Sequence, residues 1–408
     1  MKISYNWLSS YLDMSGAEGG VPTAESLAER LSASGIDVEG ITYLRAADGE
    51  VTRDDAVIEI RVSREMSDYS GMMWTANEVA GVLGIQIDDT ETYGKLLPDD
   101  RWVRQETDET ALYVNSVSKR CRMLVGRIVG GVEARRSPDW MRDALVANGI
   151  TPTSCLEDVP AFVTRNLGQP MFVIDADRLA TDRLIVEDAA HGGTVTCDGV
   201  AYEYVPGDVV LTNGEKVVGI CGVVTDDSVK VGEDTARVLA FTMIIDADTV
   251  RDTARRLGVS SLNVEVASLG ANHASEMKAI GNLTSYLYEC AGASHFEPLD
   301  IFTKYDFTKS IMDTTVRELN DLLSSDYTYA QIVSGVVNGK ISAFVKQPVY
   351  DENGNQVNVD VCEPSPYVGE DIHFGSKFGS YRNRREPCDL AQSILCFVGC
   401  DRVGMSDR

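Results

Sequence analysis

The sequence has 408 residues, 44% of them hydrophobic, and its 63 acids against 37 Lys and Arg give a formal charge of −26. That is two or three domains' worth of chain with enough apolar content for each to build a core, and the acidic balance argues against nonspecific binding of polyanions. No apolar run approaches the roughly 18 residues of a membrane span, and MKISYNWLSSYLD is neither a basic leader nor a cleavable apolar segment, so a globular, cytoplasmic protein with no membrane partner is expected. The nine cysteines lack CxxC spacing, which points to buried reduced thiols and not to a disulfide framework or a zinc site.

In chain order, ISYNWLSSYL carries helical apolar spacing at Ile3, Trp7, Leu8, Tyr11 and Leu12. TAESLAERLSASG repeats it, with Thr23 as N-cap and Gly35 in the C-cap place. AVIEIRV reads as a strand, SGMMWTANEVAGVLG as a helix closing on Gly84, and the acidic stretch from Asp88 to Asp108 as a linker. After Tyr113, the strand CRMLVGRIVGGV leads into a helix in which Ser137 is placed as cap, Pro138 as first helical residue and Gly149 as terminator. Short strands follow in LIVEDA, TVTCDGVAYEY, DVVLTN, KVVGICGVV and RVLAFTMI, and helices return in DADTVRDTARRLG and SEMKAIGNLTSYLYECAG.

From Glu297 onward the order is helices TTVRELNDLLSS and TYAQIVSGVVNG, strands ISAFVKQPVY and QVNVDVC around the turn DENGN, and a closing helix EPCDLAQSILCFVG. The expected class is therefore α+β and multidomain: an N-terminal α/β module over 1–105, a central antiparallel-rich domain over 106–295 and a winged-helix-like module over 296–408. The four histidines, His191, His273, His295 and His373, fall in separate contexts, so spacing supports neither a catalytic triad nor a metal set. The basic clusters SKRCR, EARR and YRNRR are short and diluted by acids, which suits solvated surface better than an RNA contact.

Several stretches in the same order resemble the β subunit of bacterial phenylalanyl-tRNA synthetase: MKISYNWL, SPDWMRDALVANGI, NLGQPMFVID, GEDTARVL, TVRDTARRLG and CDLAQSILCFVGCDRV. The resemblance implies that the central domain is of the editing, tRNA-binding type, whose pocket in that family hydrolyses tyrosine misattached to the phenylalanine tRNA. A pocket built for a hydroxyl discriminates through a buried polar partner. The family's OB-fold insert, with its HPNADRL-like motif, has no counterpart in ITYLRAADGEVTRDDAVIEI, and neither the catalytic-like nor the anticodon-binding domain is matched.

On the family's pocket pattern, TNY…LGQPLHAFD, the threonine and asparagine fall at Pro160 and Ala161 and the histidine at Phe172, while Gly168, Gln169, Pro170 and Asp175 keep the frame. In the turn AGVMGG, Cys221 and Gly222 hold the first places, and Thr225 and Asp226 replace two glycines. The glutamate falls on Phe241, with no glutamate anywhere between Ala236 and Ala247. Phe172 has no hydrogen-bonding group and Phe241 cannot accept a proton, so tyrosine-specific hydrolysis loses its basis. A filled core, an apolar pocket reused for another ligand, and residual editing stand in that order of preference, and enzymatic activity is left open.

The family also implies magnesium held by acids near the end, since this hard cation takes oxygen ligands. Asp389 remains, but Gln392 and Ser393 replace the next two acids, so Asp389 suits a helix N-terminal acid better than a ligand and no cofactor is expected. The reading that results is a translation-associated binding or scaffold paralogue with a degenerate editing pocket. Its implied partners are tRNA or another RNA, an alpha-subunit-like protein, or a small aromatic or apolar ligand in the old pocket. The rivals are a hydrolase acting in trans on mischarged tRNA through backbone donors near Gly222, and a truncated ligase subunit.

Overall fold

The computed structural model describes residues 1–63, 70–85, 111–270 and 276–304, without the side chains of 276 and 277, together with the backbone of four strands beyond 309. The described chain divides into two compact units, the first made of 1–11, 21–76 and 91–305 and the second of 12–20, 77–90 and 306–408. The expected linker and the helices of the third segment lie outside the described residues, as do Asp389 and His273.

The chain opens with strand β1 (Lys2–Ser4) and a single helical turn α1 (Tyr5–Leu8), where the spacing predicted one continuous helix. The reason is tertiary: β1 pairs with a later strand, and the Ser4 hydroxyl then accepts the Trp7 N–H at 3.0 Å to start the turn. Helix α2 (Ala24–Ala33) is capped by Thr23, whose hydroxyl accepts the Ser26 N–H at 3.2 Å, as expected. Strands β2 (Val38–Leu44) and β3 (Asp55–Ile60) complete an antiparallel sheet of order β1-β3-β2, so the N-terminal module is α+β in its pairing and not α/β. Helix α3 (Met72–Leu83) ends at Gly84, whose φ of 66° only glycine adopts at little cost.

Next come β4 (Tyr113–Ser116), β5 (Cys121–Gly130) and helix α4 (Asp139–Ala147). Pro138 is the N-cap of α4 and not its first helical residue. The Ser137 hydroxyl, expected to cap, instead donates at 2.6 Å to Asp158, tying the start of α4 to helix α5 (Cys155–Leu167). Strand β6 (Met171–Asp175), the turn α6 (Ala176–Leu179) and β7 (Arg183–Asp188) follow. The hairpin of β8 (Gly193–Cys197) and β9 (Val200–Tyr204) turns on Asp198 and Gly199, both at positive φ, as a two-residue turn matched to strand twist requires.

Strands β10 (Val209–Thr212), β11 (Val217–Ile220) and β12 (Val224–Thr225) lead to β13 (Arg237–Ile245). Helices α7 (Ala247–Leu257), α8 (Leu262–Leu269) and α9 (Glu276–Ala291) and the short strands β14 (His295–Phe296) and β15 (Asp300–Thr303) complete the first unit.

Two five-stranded sheets dominate that unit, one of order β12-β11-β10-β7-β4, the other β14-β5-β13-β6 with β15 also on β5. Ladders are antiparallel except β4 with β7, the one parallel pair among the described residues. Alternate residues of β5, β13 and β6, including Leu124, Ile128, Leu239, Phe241 and Ile174, join Leu184, Val186, Leu211 and Ile220 of the other sheet in one apolar cluster. This is two-sheet packing, with period-two alternation aiming one side-chain set inward. Helices α5 and α9 pack on each other, and both contact the second sheet. Every residue of β13 after Arg237 is consequently buried, as befits a strand covered on both faces.

In the second unit, β16 (Ser310–Thr315) pairs antiparallel with β19 (Asp371–Ser376), and β17 (Val345–Tyr350) with β18 (Gln356–Val361). The β17–β18 hairpin was expected; the β16–β19 pair was not, and it puts His373 in a strand opposite Asp313.

Candidate functional site

The residues aligned with the pocket pattern sit on α5, β6, β13 and the turn after β11. Pro160 and Ala161 lie inside α5, a helix that the spacing of this stretch did not predict. Pro160 has no N–H to give the preceding turn, yet the helix continues through it and is buried nearly all round, Glu157 and Ala161 being its two residues that are not fully buried. Its carbonyl accepts the Thr164 hydroxyl at 2.8 Å.

Gly168 ends α5 at φ 65°, its N–H donating to the Thr164 carbonyl at 2.9 Å. A Cβ there would come within 2.6 Å of the Ser70 hydroxyl oxygen, so this glycine serves both conformation and close approach. Gln169 is fully buried on the helix side of the sheet. Its Nε2 donates to Thr242 Oγ1 at 2.8 Å, and that hydroxyl donates to the Pro170 carbonyl, also at 2.8 Å. The frame residues thus hold strand to strand, and Asp175 accepts the N–H groups of Asp177 and Arg178 and the Thr235 hydroxyl.

Phe172 and Phe241 occupy directly opposed positions of the β6–β13 ladder. Their rings stack with centroids 5.2 Å apart and planes 16° off parallel. Phe241 has no exposed surface, and Phe172 is half-buried against the same apolar cluster. Cys221 belongs to that cluster too, and burial pushes its thiol well above the usual range. Gly222 follows at φ 75°, and a Cβ would meet a Val250 methyl at 3.0 Å. Thr225 forms the end of β12. The Asp226 carboxylate takes the Thr196 and Ser228 N–H groups, each at 3.0 Å. Burial raises the Asp226 pKa, but the hydrogen bonds outweigh it and leave the group below its ordinary value.

The structure thus brings Phe172, Phe241, Cys221 and Gly222 to one region, while Gln169 and Thr242 face the opposite side of the sheet. None of these carries a charge that could order water. His191 and His295 are both exposed. Among the described residues no three His, Cys, Asp or Glu side chains group as a metal site, and no helix is long and apolar enough to cross a membrane. The positions around Asp389 that the resemblance ties to magnesium lie outside the described residues.

Residues 120–292, within the two-sheet unit, match the B3/4 domain. The chain resembles the phenylalanine–tRNA ligase beta subunit. It is 26% identical to that subunit from Streptococcus pneumoniae serotype 4 over 283 residues, covering 68% of this chain and 34% of the relative. Against the same subunit from Nitratidesulfovibrio vulgaris it is 31% identical over 244 residues, covering 57% and 29%. The chain therefore spans about a third of the length of the curated relatives it matches. An N-terminal fragment of the phenylalanyl-tRNA synthetase beta subunit from Pyrococcus horikoshii aligns over 98% of this chain and 99% of its own, with 9% identity and a TM-score of 0.41. A score of that size does not establish a shared fold.

Proposed function

We propose that this chain is a translation-associated binding protein built on a beta-subunit-like scaffold, in which the tyrosine-editing pocket is degenerate and performs no hydrolysis. The stacked Phe172–Phe241 pair carries this reading: it fills with hydrocarbon the two positions that the family pattern gives to a histidine and a glutamate. Hydrolysis of an aminoacyl ester needs a group that orders water or takes its proton. A stacked phenylalanine pair supplies neither.

The proposed partner is tRNA, bound weakly. In the described basic clusters, Arg120 pairs with Asp188, Arg135 with Glu133 and Arg136 with Asp139, at 2.9, 2.8 and 2.7 Å. Cations so compensated release fewer counterions from a phosphate backbone. The test combines tyrosyl-tRNA bearing the phenylalanine anticodon with binding of the same uncharged tRNA at low and moderate salt. The expected result is deacylation at the spontaneous rate and weak binding that fades with salt. Turnover above the spontaneous rate would overturn the non-catalytic reading, and absence of binding at low salt would overturn tRNA as the partner.

A further inference from the structure

A cavity of about 240 Å³ lies within the first unit, and neither Phe172 nor Phe241 lines it. Its apolar wall is aromatic: Trp7, Tyr11, Trp140, Phe162 and Tyr286 all line it. Phe162 is the hub, stacked on Trp7 at 4.6 Å and 17° and meeting Trp140 and Tyr286 edge-on at 5.2 and 5.3 Å. Trp140 keeps 39% of its surface exposed, unusual for so large an apolar side chain.

Two carboxylates complete the wall, Asp55 and Asp143, the latter only 9% exposed. The hydrogen bonds they accept come from neutral donors. Asp143 takes the Thr52 N–H at 2.9 Å and the Thr52 hydroxyl at 2.5 Å. Asp55 takes the N–H groups of Asn6 and Ala56 at 2.9 and 2.8 Å and the Ser4 hydroxyl at 2.5 Å. Among the described residues neither has an ion-pair partner. The third charged group of the lining, Arg53, is exposed.

Aromatic faces attract cations through the ring quadrupole, most strongly when the cation is desolvated. Carboxylates held by neutral dipoles keep their charge uncompensated, and the chain's formal −26 concentrates cations around it. The volume sits below the roughly 300–1,000 Å³ usual for ligand pockets, so the occupant is small. We propose that this aromatic and acidic cavity binds a small organic cation, an amine or quaternary ammonium.

Trp fluorescence of the whole chain, titrated with choline and with its neutral carbon isostere 3,3-dimethylbutan-1-ol, tests this. Choline should give a saturable change, with the alcohol at least about tenfold weaker, because only the cation gains the ring and carboxylate attraction. Trp140→Ala should weaken choline roughly three- to thirtyfold, and Asp143→Asn should weaken it too. Arg53→Ala should leave affinity unchanged or raise it. Equal binding of the two probes, no saturation with choline below about 10 mM, or weaker choline binding on loss of Arg53 would each overturn the proposal. Should Asp143→Asn fail to fold by circular dichroism, the comparison of probes on the unaltered chain decides alone.

Discussion

Arg165 of α5 and Glu265 of α8 meet through two parallel hydrogen bonds of 2.9 Å, a fork-to-carboxylate pairing that joins residues a hundred positions apart. The guanidinium is almost fully buried, with 6% of the side chain exposed, whereas 47% of Glu265 faces solvent. Burial raises the Glu265 pKa, but Arg165 more than offsets that and holds the carboxyl below its usual 4.5. A carboxyl with a depressed folded pKa stabilises the fold above its unfolded value and loses that contribution as pH falls through the folded one. Urea unfolding of the unaltered chain against Glu265→Gln should therefore show a gap at neutral pH that narrows below about pH 4.5.

At neutral pH that gap should be about 1–3 kcal/mol, because the variant leaves a buried guanidinium without its charged acceptor. Equal stability of the two chains at pH 7 would show that solvent already satisfies Arg165.

Phe241→Ala should cost about 3–5 kcal/mol, the range for truncating a fully buried aromatic. Phe172→Ala should cost less, since its ring is half-buried. Phe241→Glu, which places the family's acid at this position, should destabilise more than alanine, because an isolated carboxylate in an apolar cluster is not compensated. Denaturant midpoints of the three variants give the order.

Gly222→Ala meets both a φ of 75° and the Val250 methyl at 3.0 Å, so it should cost about 1–3 kcal/mol. Relief by the pair Gly222→Ala with Val250→Ala would isolate the steric part, while a cost that persists assigns it to the backbone.

Cys121 and Cys221 are buried, and burial raises both thiols, so alkylation at pH 8 should spare them in the native chain. Cys197 is half-buried, with a thiol raised first by burial and then by the neighbouring Asp198. Peptide mapping should find it modified ahead of the other two, all three reacting once the chain is unfolded.

Local signals are enough wherever one segment carries its own instructions. Thr23 caps α2, Gly84 ends α3, Asp198 and Gly199 turn a hairpin, and Asp246 and Gly258 bound α7, each through contacts a few residues long. The inert side chains at the positions aligned with the family's pocket pattern, Phe172 and Phe241 above all, are likewise legible in the amino-acid order by itself. Pairing partners are not, because a strand of three residues such as β1 exists only through β3, some fifty residues on.

Tertiary structure alone decided that Pro160 lies within a helix, that Ser137 serves Asp158 instead of its own helix, and that Phe172 faces Phe241. It also decided that Trp7, Trp140, Phe162 and Tyr286, drawn from four separate helices, enclose one cavity. Composition and periodicity report what a side chain prefers within a turn or a strand. Which distant ring or carboxylate it meets depends on how sheets and helices pack, and that information is spread over the whole chain.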